Sequence, residues 1–421
     1  MLQRGIAKWD LVLFIINSII GAGIFGLPSK IFALSGVYSL LAFGACALVV
    51  AIFILVFAEV SSRYEKTGGP YLYMMDAFGP FPAFLMGWML LLSRLFNYAT
   101  LINLLVVYLS FVSEIFQAPF VRAACIIGIT TLLAGINYVG IHNTTRLSNV
   151  LTVAKLAPLA LFILVGVFFL QGSNFNQAVP PTAANFSASV LLLIFAFGGF
   201  ESVLVAAGEI KAPRKNLPFA LLMATLIVTL FYCGIQLVSI GTLPTLATSD
   251  KPLAEAAQNF MGPWGSTLII AGAFISITGT LHVLMLSGSR LPFALSQEGQ
   301  LPQLFSRVHP QHATPVASLF LFMVLVAAAS LAWSFMGALT IAVVIRLLMY
   351  MAVCAALLQL RRRKEPETFY KVRGGKVLAL AGIVISIYLL TKTGWTELRD
   401  FLIVSAIGVV VYVLQKGFKT F

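Results

Sequence analysis

Long apolar segments dominate this sequence and restrict what it can fold into. Twelve segments are candidates for crossing a bilayer, for which a helix needs about 17–25 residues. They cover residues 9–35, 38–60, 81–112, 120–137, 147–170, 186–210, 217–243, 264–289, 315–333, 336–360, 377–390 and 398–414. Of the 421 residues, 60% are hydrophobic and 10% are charged, more apolar surface than a soluble protein could bury. The sequence therefore predicts an all-α multi-spanning membrane protein with about 12 transmembrane helices.

The distribution of basic residues predicts how the chain is oriented. The net charge is +13, but the lysines and arginines lie in short loops between apolar segments. That placement indicates membrane topology rather than a nucleic-acid site. Loops on the side that carries both termini hold most of them, so we expect both termini in the cytoplasm and the chain in the plasma (cytoplasmic) membrane. The lipid bilayer is the expected partner, and nothing predicts an oligomeric state.

The first apolar segment contains a sequence that resists a continuous helix. Glycines flank an alanine at Gly21, Ala22 and Gly23, and Pro28 follows. Backbone in lipid must be hydrogen-bonded, so a break here requires another partner. We expect one half-helix to end at Ile19 and Ile20 and the next to begin near Ile24. Free carbonyls and free N–H groups would then face an ammonium and a carboxylate, as in an amino acid. The alternative is a glycine-mediated close contact between helices.

The sixth segment contains a second interruption. Gly198 and Gly199 are followed by Glu201 in the middle of an apolar run. Because the two interrupted segments are five spans apart, the second set of five spans enters the membrane from the opposite side. Inverted repeats with a solute site between two discontinuous helices have this arrangement. We therefore predict a first repeat over 9–170, a second over 186–360 and two peripheral helices over 377–414, all in one transmembrane transporter domain.

Several short motifs extend this pattern along the chain. In order they are Gly21-Ala22-Gly23-Ile24-Phe25, Gly68-Gly69-Pro70-Tyr71, Ala77-Phe78-Gly79-Pro80, Gly199-Phe200-Glu201-Ser202, Pro213-Arg214-Lys215-Asn216-Leu217-Pro218, Ser289-Arg290, Glu298-Gly299-Gln300-Leu301-Pro302 and Arg361-Arg362-Arg363. Together they resemble the amino acid–polyamine–organocation superfamily, in its branch of amino acid permeases and basic amino acid–polyamine antiporters. The resemblance implies a leucine-transporter-like fold of 5+5 inverted spans with discontinuous helices 1 and 6.

Residues of the sixth segment are candidates for the substrate site. Carbonyls near Phe195 and Gly198 would add to the ammonium site. The resemblance implies that Phe195, Phe197 and Phe200 wall the substrate or form a gate, although a phenylalanine stripe also suits ordinary packing. Glu201 is an intramembrane carboxylate, which is costly and usually functional. It is either proton-linked or holds the broken helix together through hydrogen bonds.

Lys155 lies about nine residues into the fifth segment, too deep to reach the surface easily. Burial disfavours its charged form, so it could release a proton during transport. The alternative is a fixed cation paired to carbonyls of the first break. The resemblance implies that this lysine stands where sodium-coupled relatives hold an ion, so both interpretations argue against sodium coupling.

Three further polar residues lie within apolar segments. Arg94 and Arg346 are too costly to face lipid and should point inward or extend to the interface. His282 titrates in a useful range, but a hydrogen-bonded histidine that packs between helices is the preferred interpretation. The sequence alone assigns none of the three a partner or a role.

The motifs exclude enzyme classes and leave several transport functions open. No HExxH, Walker or GxSxG pattern occurs, so we expect no enzyme, no catalytic residue, no metal site and no cofactor. A secondary active transporter of neutral L-amino acids, small or hydrophobic, is the preferred function, by sodium-independent proton symport or by exchange. A cationic amino acid or polyamine antiporter is the alternative, because Glu201 could serve a cation. A channel and a transport-fold nutrient sensor are the candidates from other classes.

Overall fold

The computed structural model describes residues 4–21, 23–110, 113–176, 180–332, 335–363, 369–392 and 395–418. Within these ranges the chain is helical, without a β-sheet and with one isolated parallel β-bridge between Ile6 and Ile210. The helices are α1 (Lys8–Ile19), α2 (Gly23–Ser35), α3 (Ser39–Ser61), α4 (Pro70–Phe78), α5 (Pro80–Ser110), α6 (Pro119–Tyr138), α7 (Ile141–Gly166), α8 (Ala183–Phe197), α9 (Glu201–Val205), α10 (Pro213–Thr242), α11 (Pro252–Gln297), α12 (Val316–Ala332), α13 (Phe335–Arg362), α14 (Gly375–Leu390) and α15 (Trp395–Phe418).

The exterior of the fold is apolar and its interior holds charges. In the described part of the chain, seven helical stretches are long and apolar enough to cross a membrane, and three shorter apolar helices accompany them. The side chains of Phe120 and Phe168 are each 84% exposed, whereas Arg94, Lys155 and Glu201 are fully buried. This arrangement suits lipid outside and paired polar groups inside. The chain is an integral, multi-pass membrane protein.

The twelve apolar segments of the sequence all coincide with helices of the structure. Ten of them correspond to one helix each, and the first and sixth correspond to interrupted pairs. Positions 111–112 and 333, at the ends of the third and ninth segments, lie outside the described residues. The agreement follows from the length and hydropathy of the segments, which are local properties of the sequence.

Both glycine-rich stretches interrupt their helices. α1 ends at Ile19, Ile20 has an extended backbone with ψ 91°, and α2 begins at Gly23. α8 ends at Phe197 and α9 begins at Glu201, with Gly199 at φ +118° between them. A φ of that value is readily adopted by glycine and strains other residues. The glycines therefore allow the chain to leave the helix at these two points.

The structure adds two features that the segment boundaries do not predict. The stretch after α3 forms α4, a nine-residue helix whose N1 residue is Pro70, a favoured position for proline. The helix of the eighth segment begins earlier, at Pro252, and is broken at Gly262, where φ is 67° and ψ is −163°. Regular helix therefore resumes after Gly262, close to the expected start at residue 264.

The interrupted helices lie at the centre of the packing. α1 packs against α7, α10 and α11, while α2 packs against α8 and α11. α5 packs against both α11 and α13, and residues of these three helices lie beside residues of both interruptions. Side chains from α5, α11 and α13 can therefore reach the freed backbone of α1, α2, α8 and α9.

Candidate substrate site

A narrow cavity lies between the two helix interruptions. Its volume is about 30 Å³. The residues that line it are Ser18, Ile19, Gly21, Gly23, Arg94, Asn97, Leu101, Phe195, Ala196, Gly198, Gly199, Thr280, Leu284 and Arg346. Backbone from both interruptions therefore faces the same space, together with side chains of α5, α11 and α13.

The residues named from the sequence divide into two groups around this cavity. Those that line it are Ile19, Gly21, Gly23, Phe195, Gly198 and Gly199. Those that do not are Ile20, Ile24, Phe197, Phe200, Lys155 and Glu201, all of them buried. Ala22 lies outside the described residues. The lining thus includes glycines of both interruptions but only one of the three candidate phenylalanines.

The two glycines of the second interruption make room for different neighbours. A Cβ on Gly198 would collide with the guanidinium of Arg346, and a Cβ on Gly199 would collide with the carbonyl oxygen of Ser18. The Ser18 hydroxyl in turn donates a 2.6 Å hydrogen bond to the Gly199 carbonyl. Gly199 therefore allows α1 and the second interruption to touch, and Gly198 allows a charge from α13 to approach.

Lys155 binds the backbone of the first interruption. Its Nζ donates to the carbonyls of Asn17 (3.1 Å), Ile20 (2.6 Å) and Ser276 (3.2 Å). The hydroxyls of Ser276 and Thr280 also donate to Ile20, at 2.9 and 3.3 Å. A helix C-terminus carries partial negative charge and favours such a cation. The Ile20 carbonyl therefore has protein donors, and Lys155 has the contacts expected of a fixed cation.

Glu201 joins two arginines that had no assigned partner. Its Oε1 accepts from Arg94 Nη1 at 3.4 Å and from Arg346 Nε at 3.2 Å. Its Oε2 accepts from the Gly199 N–H at 2.9 Å and from the Tyr350 hydroxyl at 3.3 Å. All the charged groups of this cluster are buried, with exposed fractions of 0–3%. The four donors of this carboxylate thus tie the start of α9 to α5 and α13.

The three phenylalanines have different surroundings. Phe195 lines the cavity, with the guanidinium carbon of Arg346 5.8 Å from its ring centre. Phe197 packs edge-on against Tyr232, with ring centres 4.9 Å apart. Phe200 packs between Phe57 and Tyr350, at 5.2 and 5.4 Å. Only Phe195 is therefore in a position to touch a solute in this conformation.

His282 lies away from the cavity. One ring nitrogen is 3.3 Å from the Asn137 amide and the other is 3.0 Å from the Thr144 carbonyl. These contacts join α6, α7 and α11, as expected for a histidine that packs between helices. Across the described residues, no group of three or more His, Cys, Asp or Glu side chains is arranged to hold a metal ion.

Comparison with known proteins identifies the family. The family model described as amino acid permease matches residues 6–412. This chain belongs to the amino acid permease family. The permease is 27% identical to the branched-chain amino acid permease BcaP of Bacillus subtilis (strain 168), over 98% of this chain and 93% of that protein.

Two further relatives of the permease also come from Bacillus subtilis (strain 168). The permease is 28% identical to the methylthioribose transporter, over 98% of this chain and 93% of the relative. It is 30% identical to the serine/threonine exchanger SteT, over 75% of this chain and 73% of the relative. All three relatives are named as transporters and none as an enzyme. The permease is accordingly an amino acid transport protein and not an enzyme.

Some residues of the permease site carried no signal in the sequence. Tyr232 on α10 donates to the carbonyls of Ala196 (3.0 Å) and Ile19 (3.4 Å), and so joins the two interruptions. Ser276 and Thr280 lie one turn apart on α11 and both face the first interruption. Their spacing of four residues on an apolar helix is the only local hint, because it puts two hydroxyls on one face.

Proposed function

We propose that the permease is a secondary active transporter that binds the zwitterionic part of an L-amino acid at its two helix interruptions. The observation that carries this proposal is the cavity, whose lining includes Gly21, Gly23, Gly198 and Gly199. Paired interruptions around a midplane site are typical of alternating-access carriers with inverted repeats. A channel would instead be built around pore loops or charged rings.

The N-terminus of α2 is the proposed site for the substrate carboxylate. The first N–H groups of a helix have no acceptor within the helix and carry partial positive charge. Among the described residues, no side chain accepts a hydrogen bond from the N–H of Gly23, Ile24 or Phe25. Gly21 and Gly23 line the cavity beside them. The substrate ammonium then faces carbonyls near Ile19, Phe195 and Gly198.

The proposed architecture is the leucine-transporter-like 5+5 arrangement with about 12 spans. Residues 9–170 form the first repeat, 186–360 the second and 377–414 the peripheral helices. The protein lies in the plasma (cytoplasmic) membrane, with both termini in the cytoplasm. The helices at all twelve apolar segments support this count. The interruption of the first and sixth segments supports the five-span offset.

Transport is proposed to be independent of sodium. The Lys155 ammonium already binds the carbonyls of Asn17, Ile20 and Ser276, and the family resemblance implies that sodium-coupled relatives hold their ion at this place. Coupling is then either proton symport, with Lys155 or Glu201 as the proton-linked group, or exchange of one amino acid for another. One relative of this chain, SteT, is named as a serine/threonine exchanger, and this supports the exchange alternative.

The preferred substrates are neutral amino acids rather than cationic ones or polyamines. In the described part of the chain no acid lines the cavity, and Glu201, which pairs with Arg94 and Arg346 of the lining, is already neutralised by them. A buried cationic side chain would therefore lack a free counter-charge. Two relatives, the branched-chain amino acid permease and the serine/threonine exchanger, are also named for neutral substrates.

Reconstitution of the full chain in liposomes tests the proposal. Labelled leucine, serine, lysine and arginine are offered with and without internal amino acid, with and without a pH gradient, and without sodium. We expect saturable uptake of a neutral amino acid that internal substrate or inward protons stimulate. Failure to transport any amino acid, or a strict requirement for sodium, would overturn the proposal. Liposomes without protein provide the leak rate.

A further inference from the structure

Arg94 on α5 has unused hydrogen-bonding capacity in the cavity. It is fully buried and belongs to the cavity lining. Its Nη1 is the nitrogen that meets Glu201, at 3.4 Å. Its Nε and Nη2 are buried and have no hydrogen-bond acceptor among the described residues. Buried polar groups almost always have a partner, and leaving a charged donor without one is costly.

The neighbouring acid cannot supply the missing acceptor. Glu201 already receives donors from Arg94, Arg346, Tyr350 and the Gly199 backbone. The cluster contains two guanidinium groups and one carboxylate, so it carries one formal positive charge in excess. Burying an unpaired charge within a membrane protein is expensive. An anionic group that enters the cavity would supply both the acceptor and the balancing charge.

We propose that the permease also accepts amino acids with a carboxylate side chain, aspartate and glutamate, and that Arg94 binds this second carboxylate. This inference rests on the proposed function, in which the N-terminus of α2 binds the α-carboxylate. Gly21 and Gly23 line the same cavity as Arg94, so one molecule can meet both. A guanidinium suits a carboxylate because two parallel N–H groups can donate to its two oxygens.

Comparison of each acidic amino acid with its isosteric amide tests whether the charge of the substrate side chain affects transport. Reconstituted wild-type permease is offered glutamate against glutamine and aspartate against asparagine, each as labelled substrate and as competitor of leucine uptake. We expect the acids to be transported and to compete at least as well as their amides. If neutral amino acids are transported while glutamate and aspartate neither enter nor compete, this inference fails and the proposed function stands. If no amino acid is transported, the proposed function fails as well.

Substitution of Arg94 tests whether this residue binds the side-chain carboxylate of the substrate. Arg94→Gln should lower the ratio of glutamate to glutamine uptake by about ten- to hundredfold, because a charge-assisted hydrogen bond is lost. Arg94→Lys keeps the positive charge but loses the two parallel N–H donors of the guanidinium, so it should give an intermediate ratio of glutamate to glutamine uptake. The matched control is Arg122→Gln on α6, because Arg122 binds Asn103 and does not line the cavity. An unchanged ratio in folded Arg94→Gln would overturn the assignment to Arg94.

A binding measurement covers the case in which the Arg94 variants do not fold. The melting temperature of wild-type permease in detergent is measured with glutamate, glutamine or neither. We expect glutamate to raise it more than glutamine does, since a ligand stabilises the state that it binds. Stabilisation by glutamine alone would contradict the proposal.

Discussion

The two interrupted helices are held by side chains of opposite charge. At the first interruption, the Lys155 ammonium binds carbonyls of Asn17 and Ile20 at the C-terminal end of α1. At the second, the Glu201 carboxylate accepts the N–H of Gly199 at the start of α9. A helix C-terminus is the negative end of its dipole and an N-terminus the positive end. Each charge therefore has the sign that its helix end favours.

The remaining two helix ends differ in their side-chain partners. The C-terminal end of α8 is also held by the protein, because Arg346 donates to the Phe195 carbonyl and Tyr232 to the Ala196 carbonyl. The N-terminus of α2 has no such side-chain partner in the described part of the chain. Three of the four ends thus have a side-chain partner in the protein, and the N-terminus of α2 is the one left for a substrate carboxylate.

Of these changes, removal of the Lys155 side chain should have the largest effect on transport. Lys155→Ala removes a charged donor from three buried carbonyls, at about 1.5–3 kcal/mol for each hydrogen bond to a charged group, although hydroxyls of Ser276 and Thr280 still reach these carbonyls. We expect net uptake in proteoliposomes to be lost, or its response to pH to disappear. Lys30→Ala is the control, because Lys30 is exposed in a weak 3.9 Å pair with Asp250. Unchanged, pH-dependent uptake in Lys155→Ala would remove this lysine from the mechanism.

Neutralising Glu201 should chiefly lower stability. Glu201→Gln leaves Arg94 and Arg346 buried without a counter-charge, which costs about 3–5 kcal/mol when one partner of a buried pair is removed. The free energy of unfolding, measured by denaturant titration in micelles, should fall by that amount. Glu65→Gln is the control, since Glu65 pairs with Arg4 and Arg214 at 41% exposure and should cost less than about 1 kcal/mol. Equal losses would mean that the Glu201 cluster is not a buried network.

Filling the second interruption should have a smaller effect. Gly199→Ala strains a residue at φ +118° and pushes a Cβ against the Ser18 carbonyl, for a cost of about 1–3 kcal/mol. Uptake should decrease together with the melting temperature. Gly26→Ala on α2 is the control, because no atom lies within 4 Å of its added Cβ. If Gly26→Ala lowered uptake as much as Gly199→Ala, contact between α1 and the second interruption would not explain the loss.

Exchange of sodium for choline in the buffer should have no effect on uptake. The Lys155 ammonium already binds the carbonyls at the first interruption. We expect the initial rate of uptake to be equal in sodium and choline buffers of the same ionic strength. Potassium buffer distinguishes a specific ion from a salt effect. Uptake that falls in both choline and potassium would show that sodium, and not Lys155 alone, supports the first interruption.

The interruptions could be predicted from the sequence because they depend on local chemistry. Gly21, Gly23 and Gly199 weaken a helix wherever they occur, and at the first interruption the observed helix ends lie within one residue of the expected ones. The depth of Lys155 could also be counted along its segment. Its binding to carbonyls of the first break was one of two interpretations that the sequence left open.

The partners of the charged residues could not be predicted from the sequence. Arg94, Glu201 and Arg346 lie on three different helices, more than one hundred residues apart. Their meeting depends on the rotation and tilt of packed helices, which hydropathy does not encode. The same holds for Tyr232, which reads as one more aromatic residue in α10 until packing directs its hydroxyl to Ala196.

The first residues of the chain bear on how the molecule can move. Ile6 forms a parallel bridge with Ile210, and the N–H groups of Gly5 and Ile6 donate to the Glu209 carbonyl. At its other end, α1 is tied to the second interruption by Ser18 and Gly199. Contacts at both ends of α1 thus join it to the segment from Gly199 to Lys211. We therefore expect α1 and α9 to move together in any motion that opens the cavity.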